Sequence, residues 1–455
     1  MTQLRIVATI FFASLSLANG LLAQQSKVDF DISKHNNWHQ WRGPNASGVA
    51  SKGNPPTSWS EDSNVKWKTA IEGEGSSTPI IWDDQVFVLS AIETDRLPKV
   101  PVTPHPEIIP QPPKHTVEFV VWSFDRHTGK LQWKKVVTEQ TAHESHHQST
   151  TFAAASPTTD GNFLYASFGS YGIFCLTFDG ELVWEKDLGD MRTRRGWGEA
   201  VSPVLHDGRL VVNWDQEDQS QIFVLNAKNG DVIWKLDREE PTTWATPLIT
   251  QSKESGAMQL ITNGTKAVRS YNLETGDLIW KSPGTTLNAI PCPVQFGNNV
   301  ICMAGYRGSM AYSIDLASSG EISSDKIGKD QPLKWKIPQY TPYVPSPIVL
   351  DGRLYFNRSL AATIGCYDAT TGKSIYEKPV RLPGLKSLYA SPVAVSDRIY
   401  FTSREGKTIV LRGGDDFEVI KTNSLDEGID ASPAIVGDQI FLRGTKHLYC
   451  IESSE

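Results

Sequence analysis

The sequence predicts an all-β chain, an eight-bladed β-propeller of four-stranded antiparallel blades in which a strand from the N-terminal region closes the last blade. Three observations predict it. A Pro-anchored strand recurs eight times, the apolar stretches are short and bounded by turn residues, and almost nothing repeats at helical period. With 39% hydrophobic and 21% charged residues among 455, the chain has ample material for a core. Lys plus Arg number 44 against 51 Asp plus Glu, a net charge of -7, which argues against a nucleic-acid partner.

In chain order, Arg5 precedes the apolar run of residues 6–17, small residues lead to Ala23, and the polar pair Gln24-Gln25 follows. Residues 1–23 therefore read as a secretory signal, and the expectation is an exported protein, periplasmic, envelope-associated or secreted. The apolar run is too short for a spanning helix, which needs roughly 18–20 residues, and no later segment comes close. No Cys follows the run, so a lipid-modified terminus has no support. Residues 24–58 read as an N-terminal extension and 59–455 as the propeller.

Each repeat opens with Ser or Thr before Pro, then apolar residues, a tight turn and a second apolar run. The prolines are Pro79, Pro157, Pro203, Pro247, Pro293, Pro347, Pro392 and Pro433, spaced by 78, 46, 44, 46, 54, 45 and 41 residues, with Cys292 once in place of Ser or Thr. Turns such as Asp83-Asp84, Asp207-Gly208 and Asp351-Gly352 carry residues that tolerate positive φ. A second hairpin places Asp or Asn, then Gly four residues on, then an aromatic four beyond: Asp125, Gly129, Trp133; Asn226, Gly230, Trp234; Asn272, Gly276, Trp280; and Asp368, Gly372, Tyr376. Trp184 follows a shorter turn and Trp335 an insertion. The last unit ends after its third strand, and Val65-Lys66-Trp67-Lys68 resembles the fourth-strand segments, so Trp67 is expected to complete the ring.

The tight turns fall on one face, so the long connections emerge on the other, where function is expected. The largest, residues 97–113 in blade 1, has seven prolines in 17 residues and reads as an extended surface insertion, with a lid or partner-binding arm as the alternative. His143-Glu144-Ser145-His146-His147 matches H-E-x-x-H, whose chemistry needs both imidazoles on one helix face. In a loop between blades that requirement is not met, which leaves His143 and His147 as metal candidates or as solvated histidines. Two further connections and a neighbouring strand end bring Trp197, Glu199, Asn213, Asp215, Arg238, Glu240 and Trp244 toward the channel mouth. That set reads either as a grip on a polar ligand or as an ion-pair and aromatic network tying blades together. The cysteines, Cys175, Cys292, Cys302, Cys366 and Cys450, have no C-x-x-C spacing. Cys175, Cys366 and Cys450 read as small buried residues, and Cys292 with Cys302 as thiols that a hairpin could bridge in an exported chain.

The repeats, from Asp125–Trp133 through Asp368–Tyr376 with the eight Pro-anchored strands, resemble the pyrroloquinoline quinone (PQQ) repeat propellers, which include the quinoprotein alcohol dehydrogenases and BamB of the outer-membrane β-barrel assembly machinery. The resemblance covers residues 59–455, and Trp41-Arg42-Gly43-Pro44 looks like a segment of exported bacterial members. In the dehydrogenases PQQ lies under adjacent disulfide-bonded cysteines beside calcium held by Glu, Asn and Asp; Glu199, Asn213 and Asp215 would imitate the calcium set. This chain has no adjacent cysteines and no c-type haem motif. The resemblance therefore implies an exported propeller that binds a protein, peptide or small polar ligand on its long-connection face without chemistry of its own. The alternative is a PQQ- and calcium-dependent alcohol or sugar oxidoreductase.

Overall fold

The structure is a computed structural model that describes residues 29–99 and 111–453; the expected signal and most of the Pro-rich insertion lie outside the described residues. Eight antiparallel sheets form the ring, seven of four strands and one of five. Blade 1 comprises Ile80–Trp82, Gln85–Glu93, Val117–Asp125 and Leu131–Gln140, and blades 2 to 7 repeat that up-and-down order. In blade 8 the C-terminal strands Ala434–Val436, Gln439–Arg443 and His447–Ile451 take their fourth partner from Val65–Ala70, with Trp67 opposite Cys450. The N-terminal region closes the ring as the sequence predicts.

The Asp/Asn-Gly-Trp repeat has a packing reason. The outer-strand tryptophan of one blade lies under the last hairpin turn of the next and donates its indole N–H to a backbone carbonyl there: Trp133 to Phe178 at 2.7 Å, Trp184 to Ala227 at 2.9 Å, Trp234 to Leu273 at 3.1 Å and Trp335 to Ala369 at 3.0 Å. The turn glycine must have no side chain, because φ at Gly129 is +67° and a Cβ there would lie 2.6 Å from the Trp67 ring. Asp125 Oδ1 fixes the same turn by accepting from the N–H groups of His127 and Thr128. Trp67 donates to the Arg126 carbonyl at 2.9 Å and so does for the seam between blades 8 and 1 what Trp133 does inside the ring.

Two blades depart from the pattern. The insertion in blade 5 sends Gly320–Glu321 to pair in parallel with Trp280 and Lys281, giving blade 4 its fifth strand and burying Trp280 completely. In blade 6 the fourth strand is Val380–Arg381, later than the repeat spacing places it. Tyr376 instead sits in the preceding turn with its hydroxyl 3.5 Å from the Asp416 carbonyl, so the docking role survives although the strand does not reach it. Pro379 lies between them and cannot give an N–H to a ladder.

The Ser/Thr-Pro pairs form a belt around the axis. In six of the eight repeats the N–H of the residue before the proline donates to the hydroxyl at the same position in the next blade, from Thr78 to Ser156, Ser156 to Ser202, Ser202 to Thr246, Cys292 to Ser346, Ser346 to Ser391 and Ser391 to Ser432, at 2.9–3.1 Å. The Thr78 hydroxyl donates to the Ser432 carbonyl and joins the two ends. A proline follows each time because its nitrogen needs no partner on the crowded axis.

Residues ahead of the closing strand cross that axis. Trp38 pairs with Ile81 of blade 1, and the Thr159 N–H of blade 2 donates to the His39 carbonyl. The Trp41 indole then reaches Cys292 Sγ at 3.1 Å in blade 5, and the buried Arg42 donates to the Pro347 and Pro392 carbonyls of blades 6 and 7. Val49 pairs with Ala394, and the Asn54 N–H donates to Asp438 in blade 8. Burial lowers the Arg42 pKa to about 10 and, with Lys34 and His35 nearby, that of His39 to about 3. Trp41 docks where Cys replaces the belt hydroxyl.

Candidate functional site

The tight turns of all blades occupy one end of the ring, and the crossing segment covers the axis from that side. On the long-connection face this leaves a blind cavity of about 400 Å³. Trp41 and the belt residues Ser202, Thr246, Ser346, Ser391 and Ser432 line its base. Its walls are aromatic: Trp197 lies 6.4 Å from Trp244 between ring centres, and Tyr306 stacks on Tyr343 at 4.8 Å. Tyr389 faces them, under the Arg404 guanidinium at 4.1 Å. The one lining carboxylate among the described residues, Asp430, takes both its oxygens to Arg404, at 2.7 and 2.8 Å. His147 also lines the cavity, with its Nδ1 2.7 Å from the Ser149 hydroxyl.

The seven sequence-derived mouth residues divide into three groups. Trp197 and Trp244 line the cavity, and the Trp244 indole donates to the Gly198 carbonyl at 2.7 Å. Arg238 and Glu240 belong to buried ion pairs, Arg238 within blade 3 and Glu240 between blades 3 and 4. Arg238 Nη1 is 3.3 Å from Asp215 Oδ1 and donates to Asn213 Oδ1, while Glu240 pairs with Arg269 at 2.6 Å and accepts the Lys266 N–H. Glu199, Asn213 and Asp215 share a second, nearly filled void of about 20 Å³ behind Trp244.

The donor set at that void does not fit a calcium ion. Asn213 gives its oxygen to Arg238, and Asp215 already faces that fully buried guanidinium, which would repel a divalent cation. Glu199 accepts from both the N–H and the hydroxyl of Ser170, yet burial raises its pKa to about 7, favouring the neutral acid. The cysteine cover that accompanies PQQ in the dehydrogenases has no counterpart either: all five thiols are buried and free, which leaves Cys292 and Cys302 unbridged. Cys302 lies inside a strand opposite Tyr312, while Cys292 holds Trp41.

The H-E-x-x-H residues are held by separate partners. Glu144 is buried and accepts from the N–H and hydroxyl of Thr193, which anchors the connection carrying Trp197. His143 Nε2 contacts the Met191 carbonyl at 2.9 Å, so the two imidazoles expected as metal candidates serve different partners. Among the described residues no three His, Cys, Asp or Glu side chains gather as a metal site, and no helix is long and apolar enough to cross a membrane.

Sequence reasoning missed Trp41, Tyr306, Tyr343, Tyr389, Arg404 and Asp430. A signal existed. All eight residues standing three places before a repeat proline line the cavity, Trp244, Tyr389 and Asp430 among them. These positions are small in the first three copies, Ser76, Ala154 and Ala200, and larger in the later ones.

No curated protein matches the chain in sequence. Among solved structures, BamB from Moraxella catarrhalis is 12% identical, with a TM-score of 0.52 over 80% of this chain and 98% of that one. The quinohemoprotein alcohol dehydrogenase from Comamonas testosteroni is 10% identical, with a TM-score of 0.62 over 94% of this chain and 82% of that one. A europium-containing methanol dehydrogenase is 11% identical, with a TM-score of 0.59 over 92% of each chain. At these identities the likeness is one of fold. A family profile described as outer membrane protein assembly factor BamB matches residues 117–378, more than half of the sequence. On that match, the chain belongs to the BamB-like family of PQQ-repeat β-propellers.

Proposed function

We propose that this propeller is an exported binding module without chemistry of its own, which receives a small polar ligand, or the end of a larger one, in the blind cavity of its long-connection face. The observation that carries the reading is the chemistry of the lining. Aromatic faces and hydroxyls dominate it, its carboxylate is held by Arg404, and His147 is tied to Ser149. Nucleophilic catalysis needs a hydroxyl and a base that a third group orients. The His147–Ser149 contact in the lining is local to one turn, shares its Nδ1 with the Ser149 N–H, and has no carboxylate at ion-pair distance among the described residues. Export rests on the Arg5 and apolar-run pattern of residues 1–23.

The competing reading is a PQQ- and calcium-dependent oxidoreductase. Mature protein is mixed with PQQ and calcium, and both melting temperature and dye-linked alcohol oxidation are measured. The binding reading expects no turnover. Turnover that rises with added PQQ and disappears with a chelator overturns it.

A further inference from the structure

The cavity mouth carries a feature that blade packing does not require. Four arginines lie over aromatic rings around it: Arg195 over Trp197 at 5.7 Å, Arg307 over Tyr306 at 5.4 Å, Arg358 over Tyr340 at 4.9 Å and Arg404 over Tyr389 at 4.1 Å. Every arginine–aromatic pair among the described residues is in this collar. Only Arg404 has a carboxylate partner; among the described residues Arg195, Arg307 and Arg358 have none at ion-pair distance. Three collar residues also hold left-handed backbone, Arg195 at φ +58°, Arg307 at +50° and Tyr340 at +61°. That conformation is disfavoured for a non-glycine residue and persists where the surroundings hold it.

The base has the same polarity. The hydroxyl oxygens of Ser202, Thr246, Ser346, Ser391 and Ser432 each accept a backbone N–H, so each retains its O–H to donate, and all five line the cavity. Donors at the base, flat rings on the walls and unpaired cations at the rim define a complementary ligand: rich in oxygen acceptors, negatively charged, and offering C–H faces to aromatic rings. A threading polypeptide does not suit the shape, because Trp41 and the crossing segment stop the cavity at its base.

We propose that the cavity binds an acidic saccharide, a pyranose unit or chain end bearing carboxylate or sulfate, with Arg195, Arg307 and Arg358 meeting the anionic group and Trp197, Trp244 and the Tyr306–Tyr343 pair stacking on the ring. This deepens the binding reading and rests on it. The collar attracts the charge over about a Debye length, and the aromatic walls confer selectivity for a ring over a bare anion.

The test is a tryptophan-fluorescence titration of the full mature chain, repeated at low and physiological salt. The probes are digalacturonate, galactose 6-sulfate, neutral lactose, citrate and inorganic sulfate. The proposal expects saturable quenching by at least one acidic sugar, with carboxylate and sulfate separated by the first two arms. It expects at least tenfold weaker response to lactose and to both sugar-free anions, and weakening with salt. Arg307→Ala and Arg195→Ala, both at exposed positions, should each weaken binding several-fold at unchanged melting temperature; Trp244→Phe should weaken it without abolishing the salt effect. Lactose binding as well as digalacturonate, citrate binding as well as either acidic sugar, or no response to either acidic sugar overturns the proposal. Saturable quenching by an unrelated probe such as PQQ, sensitive to Trp244→Phe, together with silence toward acidic sugars, would overturn the saccharide assignment while leaving the cavity as a binding site.

Discussion

Replacing Trp67 by Ala tests ring closure where it is most exposed to failure. The side chain is buried to 8% exposure, packs on Gly129 of blade 1 and Phe441 of blade 8, and gives its indole N–H to the Arg126 carbonyl. Truncating a buried tryptophan costs about 3–5 kcal/mol through lost transfer energy and the cavity left behind. The orphaned carbonyl accounts for about 1 kcal/mol of such a loss. We therefore expect Trp67→Ala to lose about 4 kcal/mol in urea unfolding, comparable to Trp133→Ala at the seam between blades 1 and 2, where the same indole-to-carbonyl bond is made. The control is Lys66→Ala on the same strand, whose ion pair with Glu452 is partly exposed and should cost less than about 1 kcal/mol. A Trp67→Ala loss no larger than that of Lys66→Ala would refute closure by this strand.

Two further perturbations probe the buried charges. Glu199 has a pKa raised to about 7 by burial, against 4.5 unperturbed, so between those values the folded state binds more protons than the unfolded one and stability falls as pH rises. Glu199→Gln should flatten that fall by up to about 3 kcal/mol. His39, lowered to about 3, works oppositely below 6.5, so the difference between variant and wild type across the pH series is the diagnostic quantity, and parallel curves would contradict the assignment. Arg238→Met should cost about 3–5 kcal/mol, because it strands the Asp215 carboxylate with no exposed surface. Adding Asp215→Asn should recover much of the loss, and a strictly additive double variant would show that the pair does not interact.

How far the molecule could be read from its sequence depended on how local each determinant was. The blade hairpins, Trp67 as the closing residue and the face that carries the long connections followed from turn residues and spacing, because a tight turn and an indole under a glycine are set by neighbours within one repeat. The mouth residues were harder. Arg238 and Glu240 stand in a long connection like Trp244, but whether such a side chain turns into the lumen or into a seam depends on partners such as Arg269 and Asn213 from other strands. Trp41 was beyond reach for the same reason: its partner Cys292 lies 251 residues away. The position three before each repeat proline was readable, since the belt fixes its direction, and comparing that one register across all copies gives the lining directly.

The segment that plugs the axis and the strand that completes blade 8 both lie in the first seventy residues, whereas their partners in that blade, Asp438 and His447–Ile451, follow all seven other blades in chain order. Sheet pairing there joins the first strand of the ring to the last in chain order, so vectorial synthesis cannot finish the ring blade by blade. Until blade 8 has been made, Val65–Ala70 has no edge to pair with, and the ring stays open while the other seven blades are synthesised.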